Sequence, residues 1–220
     1  MDASMGLPSF IIARGNAFQE LEQNDLSQNV QNQSPTFTGS RVTANPAVPM
    51  NEDCEFNNVD TMHDFCCDLH DESRLFTECQ INWHEKIHYT NDQEEQLYMF
   101  CTSECTFNSS DFLRPNRQSL NLRAVREHLE SELADDADEA LLYQTYIKCD
   151  KHAISLLPRP SVKQLAKRLT RYGCHPYPGL VMECVSNEMI LNCPAHRFHE
   201  SPQCKTSRDY LRECMHYVKY

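Results

Sequence analysis

The sequence predicts an all-α fold: a compact, disulfide-stapled bundle of about seven helices, with an extended N-terminal arm and a C-terminal extension. Three observations carry that expectation. Apolar residues after Cys54 recur at helical three- and four-residue steps. No stretch alternates convincingly with the two-residue period of a half-buried strand. Twelve cysteines, an even number, are spread over a chain with only five glycines, which indicates an oxidising compartment and a cross-linked framework.

Length and charge set the outer bounds. A chain of 220 residues is long enough for one domain with a sizeable core. Its formal net charge of -12 argues against nucleic acid or an anionic membrane surface as a partner. No apolar run approaches the length that spans a bilayer, so stable membrane insertion is not expected. The cysteines predict secretion, although the start of the chain makes a poor leader: Asp2 is acidic, Pro8 and Ser9 interrupt the apolar run, and Arg14 ends it. Either the export signal lies outside this numbering or the start is atypical.

Composition divides the chain in two. Residues 1–53 are rich in Gln, Asn, Ser, Thr and Pro, with Pro35, Pro46 and Pro49 breaking any periodicity, and read as a flexible polar arm. Residues 54–220 read as the disulfide-rich helical domain. Within it, Ser73 to His84 and Gln93 to Phe107 form two amphipathic helices around the polar turn Tyr89 to Asp92. The second places Leu97, Cys101 and Cys105 at fourfold steps beside Phe100. Asn121 caps a helix whose apolar stripe is Leu122, Val125, Leu129 and Leu133. The acidic run Asp135 to Glu139 seeds the next helix, which carries Leu142, Tyr146, Cys149 and Ala153 on one face and ends before Pro158. A shorter helix after Ser161 buries Val162, Leu165, Leu169 and Tyr172 and stops at Gly173. Pro178 and Gly179 open another, with Leu180, Cys184 and Leu191 inside, and Thr206 to Val218 forms the last.

Two groups of cysteine and histidine invite a metal reading: His63, Cys66, Cys67 and His70, and separately Cys193, His196, His199 and Cys204. Neither has the paired Cys-x2-Cys knuckles of a structural zinc site, so no metal is assigned. A cysteine nucleophile would need one thiol set apart beside a histidine base, and nothing singles one out. The carboxylate pair Asp135 and Asp136 sits at a helix junction, where capping is the ordinary role, and there is no glycine-rich phosphate loop. An enzyme and a bound cofactor therefore have no positive support. What remains is a hydrophobic interior, whose stripe residues suit plain core as well as a ligand pocket.

The succession Cys79, Cys101, three residues, Cys105, Cys149, Cys174, nine residues, Cys184, eight residues, Cys193 and at once Pro194, then Cys204, resembles the Plus-C subgroup of insect odorant-binding proteins. The adjacent Cys66 and Cys67 suit that subgroup too, and the likeness covers the chain from Cys54 to its end. It implies a non-enzymatic helical carrier without a cofactor. Such a carrier is secreted into the fluid around chemosensory neurons, holds a small hydrophobic odorant or pheromone in an internal cavity and delivers it to chemosensory receptors. Homodimers are common in the family, so a second copy and a chemosensory receptor are the macromolecular partners it suggests. The competing reading, from another class, is a secreted disulfide-rich helical interaction module or inhibitor without a cavity.

Carried onto this chain, the family's pairing of first with third, second with fifth and fourth with sixth cysteine implies Cys79–Cys105, Cys101–Cys184 and Cys149–Cys193. The remaining bonds are expected to run from Cys54, Cys66 and Cys67 to Cys174, Cys204 and Cys214, strapping the leading segment across the C-terminal extension. The ligand is expected against Phe100, Leu129, Leu133, Tyr146, Leu165, Leu169, Val181 and Leu191, which lie on or beside the inner faces that the framework bonds tie together. His128 and His152, beside the same stripes, are expected to give a pH response.

Overall fold

The computed structural model describes residues 66–68 and 74–214. Residues 1–53, Cys54, His63 and His70 lie outside the described residues, as does the side chain of Cys214. The described part is all-helical, as its periodicity predicts. Its seven α-helices are α1 (Arg74–His84), α2 (Asp92–Ser109), α3 (Leu122–Glu132), α4 (Asp136–Leu156), α5 (Pro160–Leu169), α6 (Pro176–Asn192) and α7 (Pro202–Cys214).

Local chemistry explains where the helices begin and stop. At α2 the Asn91 side chain accepts the Glu94 N–H, while the Glu94 carboxylate reaches back to the Thr90 N–H at 2.9 Å, a reciprocal cap. At α4 the Asp135 carboxylate accepts the N–H groups of Ala137 and Asp138, which accounts for the start at the acidic run. A 3-10 turn, Thr170–Tyr172, extends α5 and ends at Gly173 with φ of 74°, a left-handed stop that glycine adopts without strain.

Two starts differ from the sequence reading. α6 begins at Pro176, ahead of the Pro178–Gly179 pair, because the His175 ring accepts the Tyr177 N–H and both prolines fall in the first turn, where no intrahelical partner is lost. α7 begins at Pro202, not Thr206, with the Ser201 hydroxyl accepting the Cys204 N–H at 3.1 Å.

α2 and α6 form the centre of the bundle. α2 packs against α1, α5 and α6, and α6 packs against α2, α4, α5 and α7, while α3 covers α4. Being enclosed on several sides, these two helices lack one clean apolar stripe, whereas α3 and α5 keep theirs. The main core draws on α2 to α6, from Leu97 and Phe100 to Val185 and Met189. A separate, smaller core joins Cys66, Ile190, Phe198, Cys204 and Leu211 beneath α7.

The disulfides correct two of the three implied framework bonds. Cys79 bonds Cys105 as expected, but Cys101 bonds Cys174 in place of Cys184, and Cys149 bonds Cys184 in place of Cys193. The physical reason is the placement of α6. Cys184 lies within the helix that packs along α4 and so meets Cys149, while Cys174 precedes α6 at the edge of α2 and meets Cys101. The order first–third, second–fifth, fourth–sixth thus holds with Cys174 as the fifth cysteine and Cys184 as the sixth.

That shift frees Cys193, at the end of α6, to bond Cys67, while Cys66 bonds Cys204. Both bonds strap the leading segment to the C-terminal part, though Cys193 and not Cys174 receives one of them. Backbone hydrogen bonds of 2.9 Å from Asp68 N–H to Arg197 and 3.0 Å from His199 N–H to Cys66 lay the two segments side by side.

Candidate ligand site

Six of the eight residues assigned to the ligand in the sequence fall in the main core: Phe100, Leu129, Tyr146, Leu165, Leu169 and Val181. Leu133, the C-cap of α3, packs against its edge. Leu191 does not join them; it packs against the small core beneath α7. The assignment follows from helix geometry: Leu129 and Tyr146 lie on the facing stripes of α3 and α4, and Leu165 and Leu169 are one turn apart on α5. Phe100 rests on the bare backbone of α6 at Gly179, where a Cβ would lie 2.4 Å from the ring.

Other central residues escape the sequence reading. Phe107 and Phe112 stack edge-on at 5.6 Å, and Phe112 reaches the Tyr146 ring at 6.0 Å and the His128 ring at 5.2 Å. Tyr177, fully buried, donates its hydroxyl to Asp150 at 2.5 Å, and Asp150 also accepts the Leu120 N–H at 3.2 Å. Burial and the neighbouring carboxylate push the Tyr177 phenol well above its ordinary range. Its sequence context, between Pro176 and Pro178, gives no helical stripe that could have revealed it.

The buried charges are engaged in tying elements together. Glu104 of α2 accepts the His175 N–H at 2.5 Å and pairs with Arg117, joining α2 to the start of α6 and to the loop before α3. Burial pushes the Glu104 carboxyl up, and burial with the adjacent Arg117 guanidinium holds the His175 ring below its usual range. Glu188 of α6 pairs with Lys148 of α4 at 2.5 Å, and Arg197 pairs with Asp138 at 2.6 Å.

Of the two cysteine and histidine groups, Cys66, Cys67, Cys193 and Cys204 are all consumed in disulfides, and His199 faces Asp68 at 2.9 Å. Among the described residues no trio of His, Cys, Asp or Glu is arranged to hold a metal ion, and no helix is long and apolar enough to cross a membrane. An open surface cleft of about 410 Å³ is lined by Ser110, Asp111, Leu113, Asn121, Arg123, Ala124 and Glu127. It is polar and includes none of the eight assigned residues.

The chemistry on offer in the main core is thus dispersion against aliphatic and aromatic side chains, with few polar contacts. No curated protein and no solved structure matches the chain. The profile of the AgamOBP47-like family matches residues 69–210. With its helical bundle and five described disulfides, the chain belongs to this family of insect odorant-binding proteins.

Proposed function

We propose that the chain is a secreted, non-enzymatic carrier that takes a small hydrophobic odorant or pheromone into its main core and delivers it to a chemosensory receptor. The observation that carries the reading is the single apolar cluster that gathers Phe100, Leu129, Tyr146, Leu165, Leu169 and Val181 from five helices. Cys79–Cys105 joins α1 to α2, Cys101–Cys174 ties α2 to the link before α6, and Cys149–Cys184 joins α4 to α6, so side chains can part around a guest while this frame holds. Family membership supports the carrier class, and the two further straps, Cys66–Cys204 and Cys67–Cys193, support a place in the Plus-C subgroup. In this reading residues 54–220 are the carrier domain and residues 1–53 an appended polar arm. A homodimer is the assembly the family suggests.

Titration of the oxidised protein with an apolar fluorescent probe tests the proposal. A carrier binds the probe with a stoichiometry near one per chain and releases it to small volatile competitors. A helical interaction module without a cavity shows neither saturation nor displacement, and that result would leave only the fold.

A further inference from the structure

We propose that Gln96 of α2 is the specificity-determining residue of the carrier, accepting a hydrogen bond from a ligand that is apolar apart from one hydroxyl. The inference rests on the carrier reading and deepens it. Gln96 is only 3% exposed, and its Oε1 has no hydrogen-bond partner. An unpaired buried acceptor is costly, and few survive in a folded protein without a function.

The position of Gln96 distinguishes it from the other buried polar groups of α2. Ser103 and Thr106 return their hydroxyls to the carbonyls of Met99 and Thr102, and Glu104 holds His175 and Arg117. These are satisfied within the protein, while Thr102 Oγ1, which has no hydrogen-bond partner either, stands about 120° around α2 from Gln96, nearer the Cys105 side. At about 100° per residue, Gln96 shares its face with Phe100, Ser103 and Phe107 and stands opposite Cys105, whose disulfide marks the α1 side. Gln96 therefore looks away from α1, on the face that carries Phe100 and Phe107 into the main core. One turn earlier, the carbonyl of Gln93 accepts Arg168 of α5 at 3.1 Å, which places this part of α2 at the α5 crossing. Gln80, the other buried amide with an unpartnered atom, sits instead on the α1 side, where the Tyr98 hydroxyl donates to its backbone carbonyl.

An acceptor at this place selects for a donor. A hydroxyl can donate to Oε1; an ether or ketone of the same size cannot, and would leave the acceptor unpaired. The ligand class is accordingly a medium-sized apolar alcohol.

The experiment is displacement of a bound apolar naphthylamine probe from the full, oxidised chain by a medium-chain primary alcohol, its methyl ether and the matching ketone. The alcohol should compete about tenfold better than either analogue, the preference one hydrogen bond confers. Gln96→Met, which keeps the length and removes the acceptor, should reduce the preference to about one. Gln96→Glu, which keeps an acceptor, should retain it. Equal competition in the parent, or a preference that survives Gln96→Met, overturns the assignment and leaves the carrier reading standing. Failure of the parent to bind the probe overturns both. Failure of both variants to fold would mark Gln96 as structural and likewise overturn the assignment.

Discussion

The two cores of this molecule are held by different means. The main core has aliphatic and aromatic side chains from five helices, and its disulfides span 26, 73 and 35 residues. The small core beneath α7 has Ile190, Phe198 and Leu211 besides two cysteines, and its bonds span 138 and 126 residues. In the chain-entropy view a closure of 138 residues restricts the unfolded chain by about 5 kcal/mol, against about 3.5 kcal/mol for one of 26. Where apolar burial is plentiful the cross-links are local; where it is scarce, long closures supply what packing does not. Arg208, stacked 3.7 Å from the centre of the Phe198 ring, and the Arg197–Asp138 pair add polar stitching to the same region.

The sharpest way to break this contrast is to remove the longer strap. The double variant Cys66→Ser, Cys204→Ser should lose up to about 5 kcal/mol of restraint, and the loss should be local. Amide exchange in α7 should rise while α2, α4 and α6 stay protected. Uniform loss of protection across all helices would mean that the two cores are one cooperative unit.

A smaller effect comes from truncating one leucine in each core. Leu129→Ala in the main core should cost about 2–5 kcal/mol in denaturant unfolding. Leu211→Ala should fall at or below the low end, because a thin layer over α7 relaxes more easily. A larger loss at Leu211 would reverse the ranking of the cores. Smaller again is Gly179→Ala, which sets a Cβ 2.4–2.8 Å from three atoms of the Phe100 ring and should cost about 1–3 kcal/mol. An unchanged midpoint would show that the ring moves freely at this contact.

The same contrast explains what was legible in the sequence. Helices with one apolar stripe, such as α3 with Val125 and Leu129 or α5 with Val162, Leu165 and Leu169, announce their inner faces through spacing. α2 and α6 are enclosed on several sides, so spacing gives no preferred face, and Gln96 and Tyr177 stayed hidden. The cysteines announced a framework, yet the partner of Cys101 depends on where the link between α5 and α6 crosses α2, a tertiary fact that no local pattern encodes. The small core was the least legible, since it is assembled from Cys66, Phe198 and Leu211, far apart in the chain. Twelve cysteines less the ten in described bonds leave Cys54 and Cys214. The expectation that leading cysteines bond trailing ones then predicts a Cys54–Cys214 peptide in non-reducing mapping, and a free thiol at either position would refute it.

The smallest effect is a pH dependence confined to the main core. His152 on α4 lies near Arg159, Lys148 and Glu188, and burial first, then Arg159, holds it below its ordinary value of 6.5. A histidine depressed in the folded state contributes stability that is full above about 6.5 and lost as pH falls through its folded value. Glu183 on the facing α6 works in the opposite sense. Partly buried, its carboxyl is pushed up from 4.5 to about 7 by burial alone, so its contribution is full below 4.5 and lost as pH rises through about 7. Between about pH 5 and 7 the two slopes oppose one another, and the parent should show a shallow profile. Glu183→Gln removes the falling slope, so its urea midpoint should rise more steeply than the parent's over this range and exceed it above pH 7. His152→Gln removes the rising slope, and its midpoint should decline toward pH 7. His152 stands on the α4–α6 seam beside Glu188, so exchange in α7 should be indifferent to His152→Gln. Parallel profiles for parent and variants would remove these groups as the source of any acid response, and an α7 that loosens first on acidification would place that response in the small core.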